Sequence, residues 1–430
     1  MEKIRLQLFA VNTTQSAQAG NDLSAEMKTY YEKRLIDIAE PKLVHDQFGD
    51  KYPIPAGGGK TIEFRKYDSL EKAVSPITEG VTPEGNSLNV SAVTETVMQY
   101  GDWVQLSDML EMSAVDNNVL QATRLLGAQA GRTLDSITRD VLAGGTNVIY
   151  APSVADGEAT PVTSRLDIDG TCKLTADLIF RAAAQLKGMN ADPIDDKYVA
   201  IVHPYVAYDL MRSEEWIDAH KYATPENIYA GEIGKLAGIR FVESSEAKIF
   251  RGEDLSSASR TLSVSDYSAS ASGSANAGEA SAFALTVTQP LDVTHANKMI
   301  GQTMLLKNAS GQYAKITVKG VNTANRQLFL NAAVSAFTPA DGDTVYPGVG
   351  GKDGVSVYAT IVLGAHAYAV TELEGGGLTH IVKQLGYGDD PLNQRSSVGW
   401  KATRCASRLV EQYMVRIESA SSYALNAPAN

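Results

Sequence analysis

Between Thr61 and Tyr67 apolar and polar side chains alternate, with Ile62 and Phe64 on one face and Glu63 and Arg65 on the other. A period of two marks a half-buried strand. A second alternating run takes in Leu88, Val90 and Ala92 and resumes from Val97 to Leu106. The chain between them, Val74 to Gly85, is rich in Pro, Gly and Thr, so the two runs predict a long ribbon. A lone two-stranded ribbon has little core and needs something else to pack against. The period then changes. Val119, Leu126, Ala130, Leu134, Ile137 and Val141 recur at helical spacing, with Asp116 placed as a cap and Gly144-Gly145 as the stop. About 26 residues at ~1.5 Å each predict a rod of roughly 40 Å.

Ahead of the ribbon, Thr13 to Gly20 is small and polar and reads as part of an arm. Ser24 then caps a predicted helix from Ala25 to about Ile38, with Met27, Tyr30, Tyr31 and Leu35 on one face and Pro41 ending it. Beyond the rod, Thr175 precedes a helix carrying Leu178, Ile179, Ala182, Leu186 and Met189. A strand from Tyr198 to His203 follows, and Pro204 opens the next helix at its favoured first position. Ile239 to Glu243 is another strand, and this order predicts an α+β unit with a mixed sheet.

Residues 252 to 282 shift to Ser, Ala and Gly, which predicts a flexible connection. From Phe283 to Pro347, short β-rich runs (Leu285 to Val287, Thr303 to Leu306, Ala314 to Val318, Gln327 to Leu330) alternate with turns at Asn308, Gly311, Asn322 and Asp341-Gly342. This predicts a small barrel or sandwich inserted into the α+β unit. Gly348 to Gly354 leads back to strand texture over Ser356 to Leu363. Val398 to Glu418 is strand-like for nearly its whole length. Unbroken, some 20 residues at ~3.3 Å would span about 65 Å; a bend or bulge splitting it in two is the alternative.

The chain has 430 residues, 44% of them hydrophobic and 20% charged, with a formal net charge of −12. That charge argues against tight direct nucleic-acid binding, which draws on Lys and Arg at phosphates. It does not argue against enclosing DNA, since a weakly repelling wall leaves its cargo free. Cys172 and Cys405 form neither a metal-ligand cluster nor a disulfide framework, so a reducing compartment fits. The first twenty residues lack the apolar core of a signal peptide, and no apolar run is long enough to span a bilayer. Synthesis in a cytoplasm is the expectation.

No motif carries catalysis. Gly57-Gly58-Gly59-Lys60-Thr61 resembles a phosphate loop, but Ile54 stands where the first glycine belongs and the run enters a strand, not the helix whose N-terminus would hold a phosphate. The six histidines, His45, His203, His220, His295, His366 and His380, are scattered. Asp167-Ile168-Asp169-Gly170 lacks the closing Glu of a calcium loop. Ser245 and Lys248 have the spacing of a Ser-Lys pair too short to be specific, and Asp195-Asp196 and Asp389-Asp390 sit in loops beside prolines. No catalytic, cofactor or metal residue is named.

Several stretches together resemble the major capsid proteins of tailed bacteriophages, of the phage N-four type, which have the Hong Kong 97 shell fold. They are Leu23 to Tyr31 with Pro41 to His45, Gly59 to Arg65 with Thr78 to Pro83, Leu134-Asp135 with Gly145 to Val148, Ala200 to Tyr205, and Asp390 to Arg395 with Ser397 to Lys401. Their order and spacing cover roughly three quarters of the chain.

The resemblance implies an α+β fold with an N-terminal arm (1–50) and an extended loop (51–110) reaching over a neighbouring subunit. It implies a peripheral domain with spine helix and long strand (111–170, 390–430), an axial domain (171–250, 353–389) and an inserted β-rich domain (251–352). The implied role is the icosahedral head shell around double-stranded DNA, built from hexamers and pentamers of the chain itself, in the virion. Portal, scaffold and decoration proteins are the implied partners, with no cofactor and no membrane. Glu63, Arg65 and Lys66, on the exposed ribbon, are the candidates for contacts between subunits. A nanocompartment shell of the same fold is the alternative, and a hydrolase or nucleotide-binding enzyme the rival from another class. The insert is open to two roles, binding a glycan or decoration protein, or stabilising neighbouring capsomers.

Overall fold

The computed structural model describes residues 44–67, 87–113, 118–155, 157–213, 215–217, 234–257, 259–383 and 392–430, with single positions 70, 72, 74, 76 and 79. The expected arm and its helix lie outside these residues, as do Asp116 and His220.

In chain order the strands are β1 (Asp50–Lys51), β2 (Thr61–Tyr67), β3 (Val90–Thr96), β4 (Met98–Ser107), β5 (Val148–Tyr150), β6 (Ser153–Ala155), β7 (Glu158–Thr160), β8 (Tyr198–Val202), β9 (Lys235–Leu236), β10 (Ile239–Glu243) and β11 (Ile249–Phe250). They continue with β12 (Leu262–Ser268), β13 (Ala277–Gly278), β14 (Ala284–Val287), β15 (Thr303–Lys307), β16 (Tyr313–Asn322), β17 (Gln327–Leu330), β18 (Thr344–Tyr346), β19 (Val357–Leu363), β20 (Tyr368–Thr371), β21 (Thr379–Lys383), β22 (Arg395–Arg408) and β23 (Met414–Ser419). The helices are α1 (Asp108–Ser113), α2 (Asn118–Ala143), α3 (Ala176–Gly188), α4 (Pro204–Met211) and α5 (Val293–Met299).

Contacts divide the chain into two units, 1–144 with 365–411 and 145–364 with 412–430. The sequence expectation set joins at 170/171 and 389/390. Strand pairing explains the difference, because β5 runs parallel to β23 while β20 and β21 both pair with β22.

In the first unit β22 is the central strand. It pairs with β4 over ten positions, from Arg395 opposite Ser107 to Arg404 opposite Met98. Its other edge is shared by β21 and β20, and β1 adds parallel to β20. The predicted rod is α2, 26 residues long, on one face of this sheet. Val119, Leu126, Ala130 and Leu134 bury against Leu106, Val398, Trp400 and Ala402. Each large side chain so buried is worth about 2 kcal/mol. Gln129 fixes the seat, donating to Asp102 (2.6 Å) and accepting from Trp400 Nε1 (3.3 Å). At the helix end Arg408 Nη1 donates to the Val141 carbonyl at 2.7 Å, a cation beside the C-terminal carbonyls.

A buried polar knot ties residues 44–50 to this unit. His45 Nδ1 lies 2.7 Å from Asp135 Oδ2, and Asp135 Oδ1 accepts the amides of Val44 and His45, each at 2.8 Å. Thr138 donates to Asp46 at 2.5 Å, Arg404 pairs with Asp46, and the Tyr368 hydroxyl donates to the His45 carbonyl.

The second unit holds a mixed sheet ordered β5-β23-β19-β8-β10-β9, with β11 also on β19. Every residue of β19 and of β8 is buried, as expected for central strands read as continuous apolar runs. Helix α3 buries Leu178, Ile179, Ala182, Ala183 and Leu186; Thr175 holds the cap position without a side-chain cap bond. Helix α4 starts at Pro204, and His203 Nδ1 accepts the Tyr205 amide at 3.2 Å.

The long terminal strand is split. β22 ends at Arg408, a tight turn follows at Glu411–Tyr413, and β23 then joins the other unit's sheet. Arg408 Nε donates to Glu411 at 2.5 Å across the break.

Residues 262–346 of the second unit form a second β-structure. Its pairings run β16-β15-β18-β12-β14-β17 and return to β16, so the ring closes and exposes no long edge. Leu262, Val264, Leu285, Met304, Leu306, Ile316, Val318, Leu328 and Val345 fill it, and Ala296 and Met299 of α5 join that core. Two expectations change here. The Ser/Ala/Gly stretch contains β12, the first ring strand, and the region is not all-β because α5 belongs to it. The rest of that stretch folds back tightly: Ser281 donates to Leu330 O at 2.6 Å and Asn276 to Thr323 at 2.5 Å. Small residues permit this approach, since a Cβ on Gly278 would stand 2.4 Å from Lys319 O.

Candidate assembly surface

The ribbon exists. β2 and β3 pair antiparallel from Thr61 opposite Thr96 to Tyr67 opposite Val90. Opposed residues share a face, so Ile62, Phe64, Lys66, Ser91, Val93 and Glu95 lie on one side and Glu63, Arg65, Tyr67, Val90, Ala92 and Thr94 on the other. Only the root is packed. Ile62 meets Ile54, Val97, Cys405 and Leu373, and the Phe64 ring stands edge-on to Tyr52 at 5.7 Å. The base is closed by Val97 N–H donating to Lys60 O at 2.8 Å. Further out the apolar side chains are bare, with Tyr67 63% and Val90 50% exposed.

The Gly57 to Thr61 run is the turn that launches β2. Gly57 and Gly59 adopt φ of +85° and +84°, the left-handed region that favours glycine, and Gly58 N–H donates to Pro55 O. No helix stands behind these amides.

Of the three predicted contact residues, Glu63 and Arg65 meet each other, Arg65 Nε donating to Glu63 Oε1 at 2.9 Å on the exposed face. That hydrogen bond raises the guanidinium pKa further above its usual value. Lys66 is exposed on the opposite face and is not part of this pair.

The other sequence candidates have local partners. His295 pairs with Asp292 at 2.6 Å and His366 with Asp50 at 2.7 Å. Burial pushes the His203 pKa down to about 4. Asp169 accepts from Thr171 and Ser153, and Asp167 pairs with Lys315 at 3.0 Å, so the Asp167 to Gly170 stretch is a braced turn. Lys248 Nζ donates to the Asn430 carbonyl at 3.1 Å. Burial pushes the Cys172 thiol up to about 11 and raises that of Cys405, which leaves both protonated near neutrality. Among the described residues no three His, Cys, Asp or Glu side chains gather as a metal site, and no helix is long and apolar enough to cross a membrane.

What the sequence reading missed is the sheet face opposite α2. Trp103 stands there 60% exposed, cross-strand from Gly399, whose added Cβ would be 2.8 Å from the Trp103 Cβ. Its signal was the Trp in a strand whose helix-facing positions, Tyr100, Val104 and Leu106, fall on the other parity.

No curated protein matches the chain by sequence. The family model described as phage capsid protein matches residues 91–260. Among solved structures, the capsid of Ralstonia phage GP4 superposes with a TM-score of 0.50 at 11% identity, over 88% of this chain and 88% of that one. The capsid of cyanophage P-SCSP1u gives 0.49 at 14% identity over 95% and 93%, and that of cyanophage Pam1 0.49 at 11% over 98% and 100%. The family model and the fold agree in kind: residues 91–260 are similar to phage capsid proteins, and the chain has a fold like that of a phage capsid of the Hong Kong 97 type.

Proposed function

We propose that the chain assembles, as hexamers and pentamers, into the icosahedral head shell around the double-stranded DNA of a tailed phage. The observation that carries this is the ribbon. Two seven-residue strands leave the body with the apolar side chains Tyr67 and Val90 uncovered on one side of the outer end, an arrangement that costs solubility unless another surface completes it. A repeating, self-complementary contact of this kind closes a shell through many modest interfaces.

In this reading the first unit is the peripheral domain, with α2 as its spine, and the second is the axial domain carrying residues 251–352 as an insertion. Glu63, Arg65 and Lys66 lie where a neighbouring subunit would be met. The acidic chain encloses DNA without reading its sequence, is made in the host cytoplasm, and acts with portal, scaffold and decoration proteins and without catalysis of its own. Negative-stain microscopy and sedimentation of the chain expressed alone test the reading. Closed shells or capsomer rings are expected; a stable monomer at high concentration overturns it.

A further inference from the structure

Three cations meet at one end of the second unit's mixed sheet. β9 and β10 form a hairpin in which Arg240 stands opposite Lys235, and β10 runs parallel to β8 with Arg240 opposite Val199. Side chains alternate along a strand, so Lys197, two positions before Val199, shares the face of Arg240 and Lys235. Two tight turns fix this end of the sheet. Ile194 and Lys197 exchange amide hydrogen bonds at 2.9 and 3.1 Å around Asp195 and Asp196, and Ala237 and Gly238 join β9 to β10. All four turn residues have positive φ, from 46° to 83°. The Tyr198 amide donates to the Gly238 carbonyl at 3.0 Å, which pins one turn to the other.

Such a grouping weakens the fold when left to itself, because like charges opposed across strands repel. The Lys197 and Lys235 amino groups are within hydrogen-bond reach of each other. This contact, with the charge of Arg240 adding to it, lowers the Lys197 pKa below its ordinary value although Asp196 pulls the other way. Lys235 is exposed and Lys197 and Arg240 are half-buried, so solvent reaches the group. A bound anion turns the repulsion into attraction. A carboxylate is planar, and the fork of one guanidinium fills its two oxygens. A phosphate group carries oxygens on several sides, so a guanidinium fork and two ammonium groups reach it together.

We propose that Lys197, Lys235 and Arg240 form a site for a phosphate group, carried by a free phosphate ion or by a nucleic-acid backbone. The site is local, set in a chain of net charge −12, and stands apart from the shell reading. Equilibrium dialysis of the full chain against radiolabelled inorganic phosphate at low ionic strength tests it, with saturation at a single phosphate per chain expected. Lys197→Gln with Lys235→Gln weakens that binding about tenfold or more. The same pair leaves the unfolding midpoint level or higher without phosphate, because the mutual repulsion is gone. Lys197→Arg with Lys235→Arg keeps the charges and keeps the binding. A short double-stranded DNA that displaces the label from the wild-type chain assigns the site to backbone phosphate; label displaced by unlabelled phosphate and not by DNA assigns it to the free ion. A wild-type chain without saturable binding, or a glutamine pair that binds as well as wild type, overturns the site and leaves the shell reading standing.

Discussion

His45 and Asp135, 90 positions apart in the chain, are both fully buried and meet at 2.7 Å inside the first unit. Asp135 also accepts two main-chain amides, so it holds the start of the body against α2 by three bonds at once. Removing it leaves those donors and the imidazole buried without a partner. Asp135→Ala is expected to destabilise by about 3–5 kcal/mol, read as a fall in the denaturant midpoint of the unassembled subunit. His45→Ala should cost less, because the main-chain bonds to Asp135 survive.

Tyr368 packs against the turn it bonds. A Cβ on Gly49 would fall 2.4 Å from the Tyr368 ring, and the buried ring has no room to swing aside. Gly49→Ala should therefore lower stability by about 1–3 kcal/mol, and Tyr368→Leu in the same chain should recover part of that loss. A thermal unfolding series of the three variants checks the pairing.

In the second unit Glu418, fully buried, accepts from Arg165 at 2.6 and 2.7 Å and from Arg416 at 2.8 Å. Glu418→Ala takes the carboxylate from two guanidinium groups, one of them buried on β23 and left with the Gly145 carbonyl. The expected cost is about 3–5 kcal/mol. Glu418→Leu with Arg416→Met should cost far less, since a buried charge cluster replaced as a whole by apolar volume is often neutral. Unfolding midpoints of the single and double variants separate the two outcomes.

His203 supplies a pH dependence with a definite sign. It is 6% exposed, its Nδ1 accepts an amide, and its pKa is lowered to about 4. The folded state thus prefers the neutral ring more strongly than the unfolded chain does. This contribution is fully present above about pH 6.5, declines as pH falls, and is lost by pH 4, at most about 3 kcal/mol in all. His203→Gln should flatten that part of the stability-versus-pH curve between pH 6.5 and 4. An unchanged slope would show that the ring does not titrate in this window.

Much of this architecture was legible because it is periodic. The ribbon strands and α2 each bury residues at a fixed spacing, and Ile62 with Phe64 or Leu126 with Leu134 betray it; β19 shows instead as an unbroken apolar run. The knot was not legible, because His45, Asp46, Asp135, Thr138 and Arg404 are polar residues whose burial comes only from tertiary packing. β12 was hidden for another reason: Leu262 and Val264 are its only large aliphatic side chains, set among serines that resemble a linker. Trp103 was overlooked because alternation alone cannot say that the face opposite a helix stays open.

The same second unit offers a test of whether residues 251–352 are a graft. Their two ends lie together: a Cβ on Gly350 would be 3.3 Å from the Gly252 amide, and one on Gly252 would strike Pro347. Polar contacts tie the ring to its host, among them Lys315 to Asp167 at 3.0 Å, Lys307 and the Tyr313 hydroxyl to Asp353 at 2.7 and 2.8 Å, and Arg260 to the Gly354 carbonyl. These use groups that water can serve once the ring is gone, whereas the core of β19 and β23 does not involve it. Joining Gly252 to Gly351 through two glycines should therefore leave a folded subunit with its main unfolding transition within a few degrees of wild type, a shift of about 1 kcal/mol or less. Particles from this variant assign the ring to the outside of the assembly process, as a site for a glycan or decoration protein. Folded subunits that no longer assemble assign it to contacts between capsomers.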